Sequence, residues 1–443
     1  MKNKTLLIAT FMVLCFSQNV NGLPGDSIIT PAIKKVFPLT DYQQDFEQMV
    51  NQLVKDHPQL YEFTSEISFK SLVDVQYKKI TSSTTIGEFL WICLKVVSAV
   101  NCGHTGVWAN EINHLPNSLI FPVNVRYVGH KLYVVDPRNN SDRLSVGDEI
   151  LAINGVEVGL LKEELFKHLP SDGFNETSKH EKVNLLFRPY FAMYFNFTGS
   201  WTVTARRNGK TEEIKLDEVE VIELTKSFLD DCNTQLCFET DIESSTAIMT
   251  IRSFAFYRKK MPVFKSFIDS CFQQITEHKI ENLIIDLRNN GGGDPFCGSY
   301  LAQYLAKKPF AYFHKDVKRY SALKKTLHPN PNGPQNKPFI LTNGSCFSTT
   351  GHFLSIIKEN KLGILVGDET GATYTCNDNG KIHNLKNTNV LIRVPRNTYY
   401  TTAGSLTNQH GIIPDHRVAP GIDDILNNTD AVLNYTLELI KKE

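Results

Sequence analysis

The chain has 443 residues, with 47 Lys+Arg balanced by 47 Asp+Glu, 41% hydrophobic residues and 10% aromatic ones. That length corresponds to about two or three domains, and the apolar content is enough to fill their cores, which excludes wholesale disorder, collagen-like repeats and a small disulfide scaffold. The balanced charge carries no polyanion-binding signature, so no nucleic-acid partner is expected.

At the start of the chain Lys2 and Lys4 precede an apolar stretch from Thr5 to Phe16, and Val20-Asn21-Gly22 offers small residues for cleavage. This is the pattern of a secretory signal over residues 1–22. The apolar run is too short for a spanning helix, which needs ~20 residues, and Leu14 stands before Cys15 where a lipoprotein site wants a small residue. Cleavage leaves 45 basic against 47 acidic residues, a net charge of −2. The expectation is an exported protein, periplasmic or extracellular, with no stable membrane insertion. Eight cysteines remain: Cys93, Cys102, Cys232, Cys237, Cys271, Cys297, Cys346 and Cys376. Export permits disulfides, and Cys232 with Cys237, which closes a short loop in a polar stretch, is the pairing expected first. No CxxC pair or HExxH helix occurs, so no metal is expected. The sequons at Asn175 and Asn343 are of a kind common by chance.

From Asp41 to about Val107 the pattern is helical: Phe46, Met49, Val50 and Leu53 recur at three- and four-residue spacing, as do Phe89, Ile92, Cys93, Val96 and Val97. Residues 23–112 therefore form an N-terminal helical region, which ends where Gly103 and Gly106 bracket His104-Thr105. Short alternating runs follow at 119–128, 132–135, 150–153 and 201–206, so residues 113–212 form a small β-rich module. From about Ser245 the grammar changes to strand, turn and helix: strands at 247–251, 283–287, 339–342 and 362–366, helices at 263–275, 300–305 and 349–359, and a closing helix over the last 20 residues. Residues 213–443 thus read as an α/β domain, with reactive groups at strand C-termini.

Three segments of that domain carry chemistry. Leu283-Ile284-Ile285-Asp286-Leu287-Arg288-Asn289-Asn290-Gly291-Gly292-Gly293 places three glycines after a buried strand, so that backbone N–H groups point into one cavity and suit an anion or a developing oxyanion. A phosphate loop is disfavoured, because the following Lys-Ser/Thr and the GxGxxG spacing are both absent. Asn343-Gly344-Ser345-Cys346-Phe347-Ser348-Thr349 puts a hydroxyl at a strand-to-helix turn, where the helix N-terminus favours negative charge. A serine there is ordinarily an N-cap; the glycine loop before it argues for more. The third segment is Gly363-Ile364-Leu365-Val366-Gly367-Asp368-Glu369-Thr370-Gly371.

Together these segments and the ending Gly411-Ile412-Ile413-Pro414-Asp415 resemble the C-terminal processing peptidases, also called tail-specific proteases, in their tricorn-like branch. Leu144-Ser145-Val146-Gly147-Asp148-Glu149-Ile150-Leu151-Ala152-Ile153-Asn154-Gly155 resembles the strand and turn of a PDZ domain. The resemblance implies an α/β, crotonase/ClpP-like protease core with an N-terminal helical domain and an inserted PDZ-like domain that takes chain ends by strand addition. It implies Ser348 as nucleophile, Thr349 with Gly291, Gly292 or Gly293 as oxyanion donors, and His104 as base, with Thr105 at the place of a supporting hydroxyl. The lysine base of the bacterial branch is missing from Thr370-Gly371-Ala372-Thr373-Tyr374. The Glu that orients the histidine is also missing, leaving Asn408 as the positional substitute and Glu369 as a further one. His352, one helical turn after Ser348, is a rival base that points along the helix, and Lys381 is the nearest downstream lysine but is wrongly spaced. Asp286 and Arg288 read as braces. The implied activity is hydrolysis of extended polypeptides through an acyl-enzyme, without cofactor; the alternative is a catalytically silent peptide- or ligand-binding protein on the same scaffold. An esterase would need a G-x-S-x-G elbow, and none surrounds Ser348.

Overall fold

The structure, a computed structural model, describes residues 32–218, 232 and 234–442. The expected signal, residues 1–22, lies outside the described residues. Helices α1 (Leu39–Asp56), α2 (Glu66–Tyr77) and α3 (Ile86–Ser98) form the N-terminal region. α3 starts at a capping box in which the Thr85 hydroxyl accepts the Glu88 N–H and the Glu88 carboxylate accepts the Thr85 N–H. It is buried nearly all round, which is why its sequence is apolar on every side. The short strand β1 (Gly106–Trp108) follows.

The module that comes next contains β2 (Asn124–Val128), β3 (Lys131–Asp136), β4 (Glu149–Ile153), β5 (Val156–Glu157), α4 (Val158–Phe166), α5 (Thr177–Tyr194), β6 (Thr202–Arg207) and β7 (Lys210–Lys215). Its sheet runs β2-β3-β4-β6-β7, with β5 paired to β4. β3, β4 and β6 stand where alternation placed them and β2 fills the second half of the first run, whereas β5, β7 and the two helices, of 9 and 18 residues, were not legible. In α5 the reason is physical: Pro189 lies inside it and the helix is kinked at Leu186, so its apolar spacing is broken. One hydrophobic cluster runs from Ile33 through the three N-terminal helices and the module to Leu216, and also takes in Leu385, Val390, Ile392 and Val394.

The remainder is a six-stranded sheet with helices on both faces. Its strands are β8 (Leu236–Asp241), β9 (Thr246–Ile251), β10 (Asn282–Asp286), β11 (Phe339–Thr342), β12 (Ile364–Gly367) and the short β17 (His416–Arg417). The spatial order is β17-β12-β11-β10-β9-β8, parallel throughout except that edge strand β8 runs antiparallel to β9. α6 (Met261–Glu277), α7 (Pro295–Leu305) and α8 (Thr349–Glu359) contribute to the core that includes Ile285, while α10 (Ala431–Ile440) packs with Ile284 on the other face. Covering both faces explains why β10 is a continuous apolar run and not an alternating one. Between β12 and β17 lie β13 (Thr375–Asp378), β14 (Lys381–Asn384), β15 (Leu391–Val394) and β16 (Asn397–Tyr400), antiparallel strands that sequence reading did not register; the short α9 (Ile422–Leu426) precedes α10.

Those strands join the two halves. β15 pairs with β14 and, antiparallel, with β1, Gly106 opposite Arg393. The buried Asp45 of α1 accepts the backbone N–H of Thr388 at 2.7 Å and its hydroxyl at 2.7 Å in the turn between β14 and β15. The expected Cys232–Cys237 disulfide is formed, and the other six cysteines among the described residues are free and buried. Asn175 is fully buried, so that sequon is closed to modification in the fold.

Asp286 and Arg288 are braces. The Arg288 guanidinium donates to both oxygens of Asp286, at 2.9 and 2.8 Å, and to both oxygens of Asp430 at 2.7 Å, fixing the end of β10 to the start of α10. The paired arginine holds the buried Asp286 carboxyl below its ordinary range even though desolvation raises it. Replacing Arg288 with Ala leaves two carboxylates without their shared partner, and the expected cost in urea unfolding is about 3–5 kcal/mol.

Candidate active site

Ser348 stands between β11 and α8. Its φ of +56° with a ψ of −123° is a strained, positive-φ setting of the kind that costs a non-glycine residue roughly 1–3 kcal/mol and that concentrates at functional sites. Its side chain makes no capping bond to the helix, so the ordinary N-cap role is not the one it plays. The strain is held by stitching to the loop after β10. Asn343 Oδ1 accepts the Asn289 N–H at 3.0 Å, Asn343 Nδ2 donates to Asn289 Oδ1 at 2.9 Å, and the Phe347 N–H donates to the Asn290 carbonyl at 3.0 Å.

His104 comes from the other half of the chain, 244 residues earlier, and its Nε2 lies 3.1 Å from Ser348 Oγ. Three contacts set it there. The Gly103 N–H donates to Asp172 Oδ1 at 2.7 Å; Arg393 Nη1 donates to the His104 carbonyl; and the imidazole stacks on Phe347, ring centroids 4.5 Å apart. A Cβ on Gly103 would come within 2.6 Å of the Phe347 ring, which is why a glycine precedes the histidine. If Nε2 accepts the serine proton, the proton of the neutral ring sits on Nδ1, which is buried and has no hydrogen-bond partner. Burial lowers the His104 pKa to about 4; the Asp378 carboxylate opposes that shift, while Arg393 and Lys182 add to it. The ring is therefore neutral at pH 7.

The glycine loop lies against the serine. Gly292, at φ +97°, is so close that a Cβ there would sit 2.7 Å from the Phe347 carbonyl oxygen, 2.8 Å from Ser348 Cβ and 2.9 Å from the Thr349 nitrogen. Its N–H, however, donates to Asn290 Oδ1 at 2.9 Å. Gly292 thus corrects one expectation: it permits close approach, but its N–H is already taken. Gly293 turns its carbonyl to the Thr349 hydroxyl at 2.7 Å. Thr349 opens α8, where a backbone N–H has no intrahelical acceptor.

The other expected residues fall as follows. Thr105 is fully buried, beside His104 in sequence, and its hydroxyl has no partner. Asn408 is not brought to the histidine: its Nδ2 donates to Glu62 Oε1 at 2.9 Å, and nothing bonds His104 Nδ1. Glu369 is also elsewhere, its Oε1 accepting Asn175 Nδ2 and the Gly411 N–H, each at 2.7 Å. His352 is buried edge-on against Phe313 with neither ring nitrogen bonded, and burial lowers its pKa to about 3. Lys381 is exposed on β14. Sequence reading missed Asp172, Asp378 and Arg393, because each reaches the site through pairings of distant segments, and Phe347, whose adjacency to Ser348 was there to be noticed.

Comparison with known proteins shows what this arrangement is similar to. Residues 245–418, which include Ser348 and both loops that hold it, match the model of peptidase family S41. No curated protein sequence matches the chain. Among solved structures, mature CPAF complexed with lactacystin is similar, with TM-score 0.67 and 14% identity over 91% of this chain and 98% of that one. Mature CPAF alone gives TM-score 0.61 at 14% identity, over 91% and 97%. A structure from Parabacteroides merdae described as a peptidase gives TM-score 0.50 at 14% identity, over 90% and 96%. At such identities the likeness to those structures is one of fold. The S41 peptidase match over residues 245–418, with a likeness of fold over nine-tenths of the chain, marks the protein as a serine-type peptidase.

The glycine geometry yields a paired prediction. Gly292→Ala places a methyl group against backbone atoms at a positive φ and is expected to lower the melting temperature markedly. Gly291→Ala meets nothing within 4 Å and is expected to leave it unchanged; thermal unfolding of the two variants checks this.

Proposed function

We propose that the protein is an exported endopeptidase that hydrolyses extended or unfolded polypeptides, with Ser348 as nucleophile and His104 as base. The observation that carries this reading is the 3.1 Å approach of His104 Nε2 to Ser348 Oγ, within the reach that activates a serine. Ser348 attacks the scissile carbonyl as its proton passes to Nε2. The oxyanion is met by the Thr349 N–H and by an N–H of Gly291 or Gly293, Gly292 being engaged. His104 then gives its proton to the leaving amine, and water hydrolyses the acyl-enzyme with the same histidine as base. Thr105, buried next to His104 in the chain, keeps the role of a supporting hydroxyl.

The substrate class follows from access. Ser348 is half-buried, and the segment from Asp172 to Lys182 of the β-rich module stands directly beside it: Asp172 bonds Gly103 at 2.7 Å, and the Lys182 ammonium lies 5.5 Å over the Phe347 ring. A single extended strand fits such a cleft better than a folded surface, and in this reading the module gathers chain ends in the manner of a PDZ domain. Export is supported by the basic-apolar start of the chain and by the Cys232–Cys237 disulfide.

Casein, which is unfolded, is expected to be cleaved, whereas a tightly folded globular protein is not. Ser348→Ala and His104→Ala are each expected to lose at least ~1,000-fold in casein hydrolysis, and cleavage surviving in Ser348→Ala would overturn the reading. The pH profile follows from His104. A base whose pKa is depressed to about 4 is lost only on strong acidification. The rate is therefore expected to rise with pH through about 4 and to be flat near neutrality, measured as kcat/KM, which reports the free enzyme. A limb centred on the ordinary histidine value of about 6.5 would contradict a buried ring.

A further inference from the structure

The proposed mechanism turns a buried, neutral imidazole into a buried imidazolium each time Ser348 gives up its proton. An unpaired buried charge is costly, and an imidazole of such low basicity is a weak base. Something must hold the charge, and the two positional candidates, Asn408 and Glu369, are committed to Glu62 and to Asn175 with Gly411.

The strands β13 and β15 supply another group. Asp378 closes β13, and its Oδ1 accepts a hydrogen bond from Arg393 Nη2; the same guanidinium donates from Nη1 to the His104 carbonyl. One planar fork therefore fixes a carboxylate and the histidine side by side. The fork itself is fixed: Arg393 is opposite Gly106 in the β1–β15 ladder, two residues from the histidine, and Gly380 lies against it so closely that a Cβ there would be 3.0 Å from the guanidinium carbon. Of the charged groups acting on the His104 ring, Asp378 has the largest effect and outweighs Arg393. The titratable groups around Asp378 are His104, His352, Arg393, Asp172, the thiol of Cys376 and the phenols of Tyr257, Tyr320 and Tyr399. The only other carboxylate among them, Asp172, already accepts the Gly103 N–H.

We propose that Asp378, held by Arg393, is the positioning residue of the histidine, its carboxylate accepting a hydrogen bond from the Nδ1–H, directly or through one water, and so stabilising the imidazolium when His104 becomes charged. This gives the orphaned Nδ1 a partner and places the orienting acid on β13, not in the segment before Gly411. The inference rests on the Ser348–His104 reading.

The test is the second-order rate of labelling by a fluorophosphonate, together with the low-field proton spectrum of the labelled protein. His104→Ala is the reference. If it labels as fast as the unaltered protein, the Ser–His reading itself fails. If it is inactive while Asp378→Asn labels within about threefold of the unaltered protein, the reading stands and the inference is overturned. The expected result is a loss of at least ~100-fold in Asp378→Asn, partial recovery in Asp378→Glu, and no change in Asn408→Ala. A low-field Nδ1 proton is expected in the labelled unaltered protein and in Asn408→Ala. Its absence from the labelled unaltered protein would overturn the inference even if Asp378→Asn failed to fold.

Discussion

Everything proposed for this molecule hangs on one contact, 3.1 Å long, between atoms 244 residues apart. Neither residue belongs to the other's hydrophobic core: His104 follows α3, which packs with the cluster running from Ile33 to Val394, while Ser348 starts a helix of the parallel-sheet core. The contact survives only if the two halves are held in register to a fraction of an ångström. That register comes from strands inserted late in the chain. β15 pairs with β1, Asp45 caps the turn between β14 and β15, and Asp172 fixes Gly103. The C-terminal domain thus supplies the nucleophile and also the ladder that delivers the base to it.

The same economy appears on the serine side. A residue at φ +56° has to be kept there by its surroundings, and the surroundings are two adjacent loops at the C-terminal ends of parallel neighbours β10 and β11, cross-bonded through Asn289, Asn290 and Asn343. Arg288 anchors the first of those loops to Asp286 and Asp430. Burying such an ion network is expensive; here it stands directly beneath the glycine loop, where rigidity matters most to an oxyanion site.

Much of this was legible in the sequence, for identifiable reasons. β10 and β11 read as buried strands because both faces are covered, and the span of α8 follows directly from the apolar spacing after Asn343-Gly344. His104 could be singled out because it follows a strongly periodic helix and stands, with Thr105, between two glycines. What was not legible is what depends on pairing. Strands β13 to β16 are short and pattern poorly, α5 hides behind Pro189, and Gly292 gives no sign in sequence that Asn290 takes its N–H. The orienting group is the clearest case. Position alone pointed to Asn408, whereas Asp378 becomes visible only once Arg393 is seen bonding both it and the His104 carbonyl.

The most direct test of the Ser348–His104 pair is to treat the full-length protein with a fluorophosphonate, digest it and locate the adduct by mass spectrometry, alongside His104→Ala. A single adduct on Ser348 that disappears in the variant is the predicted result. An adduct on another residue, or undiminished labelling of Ser348 without His104, would contradict the account.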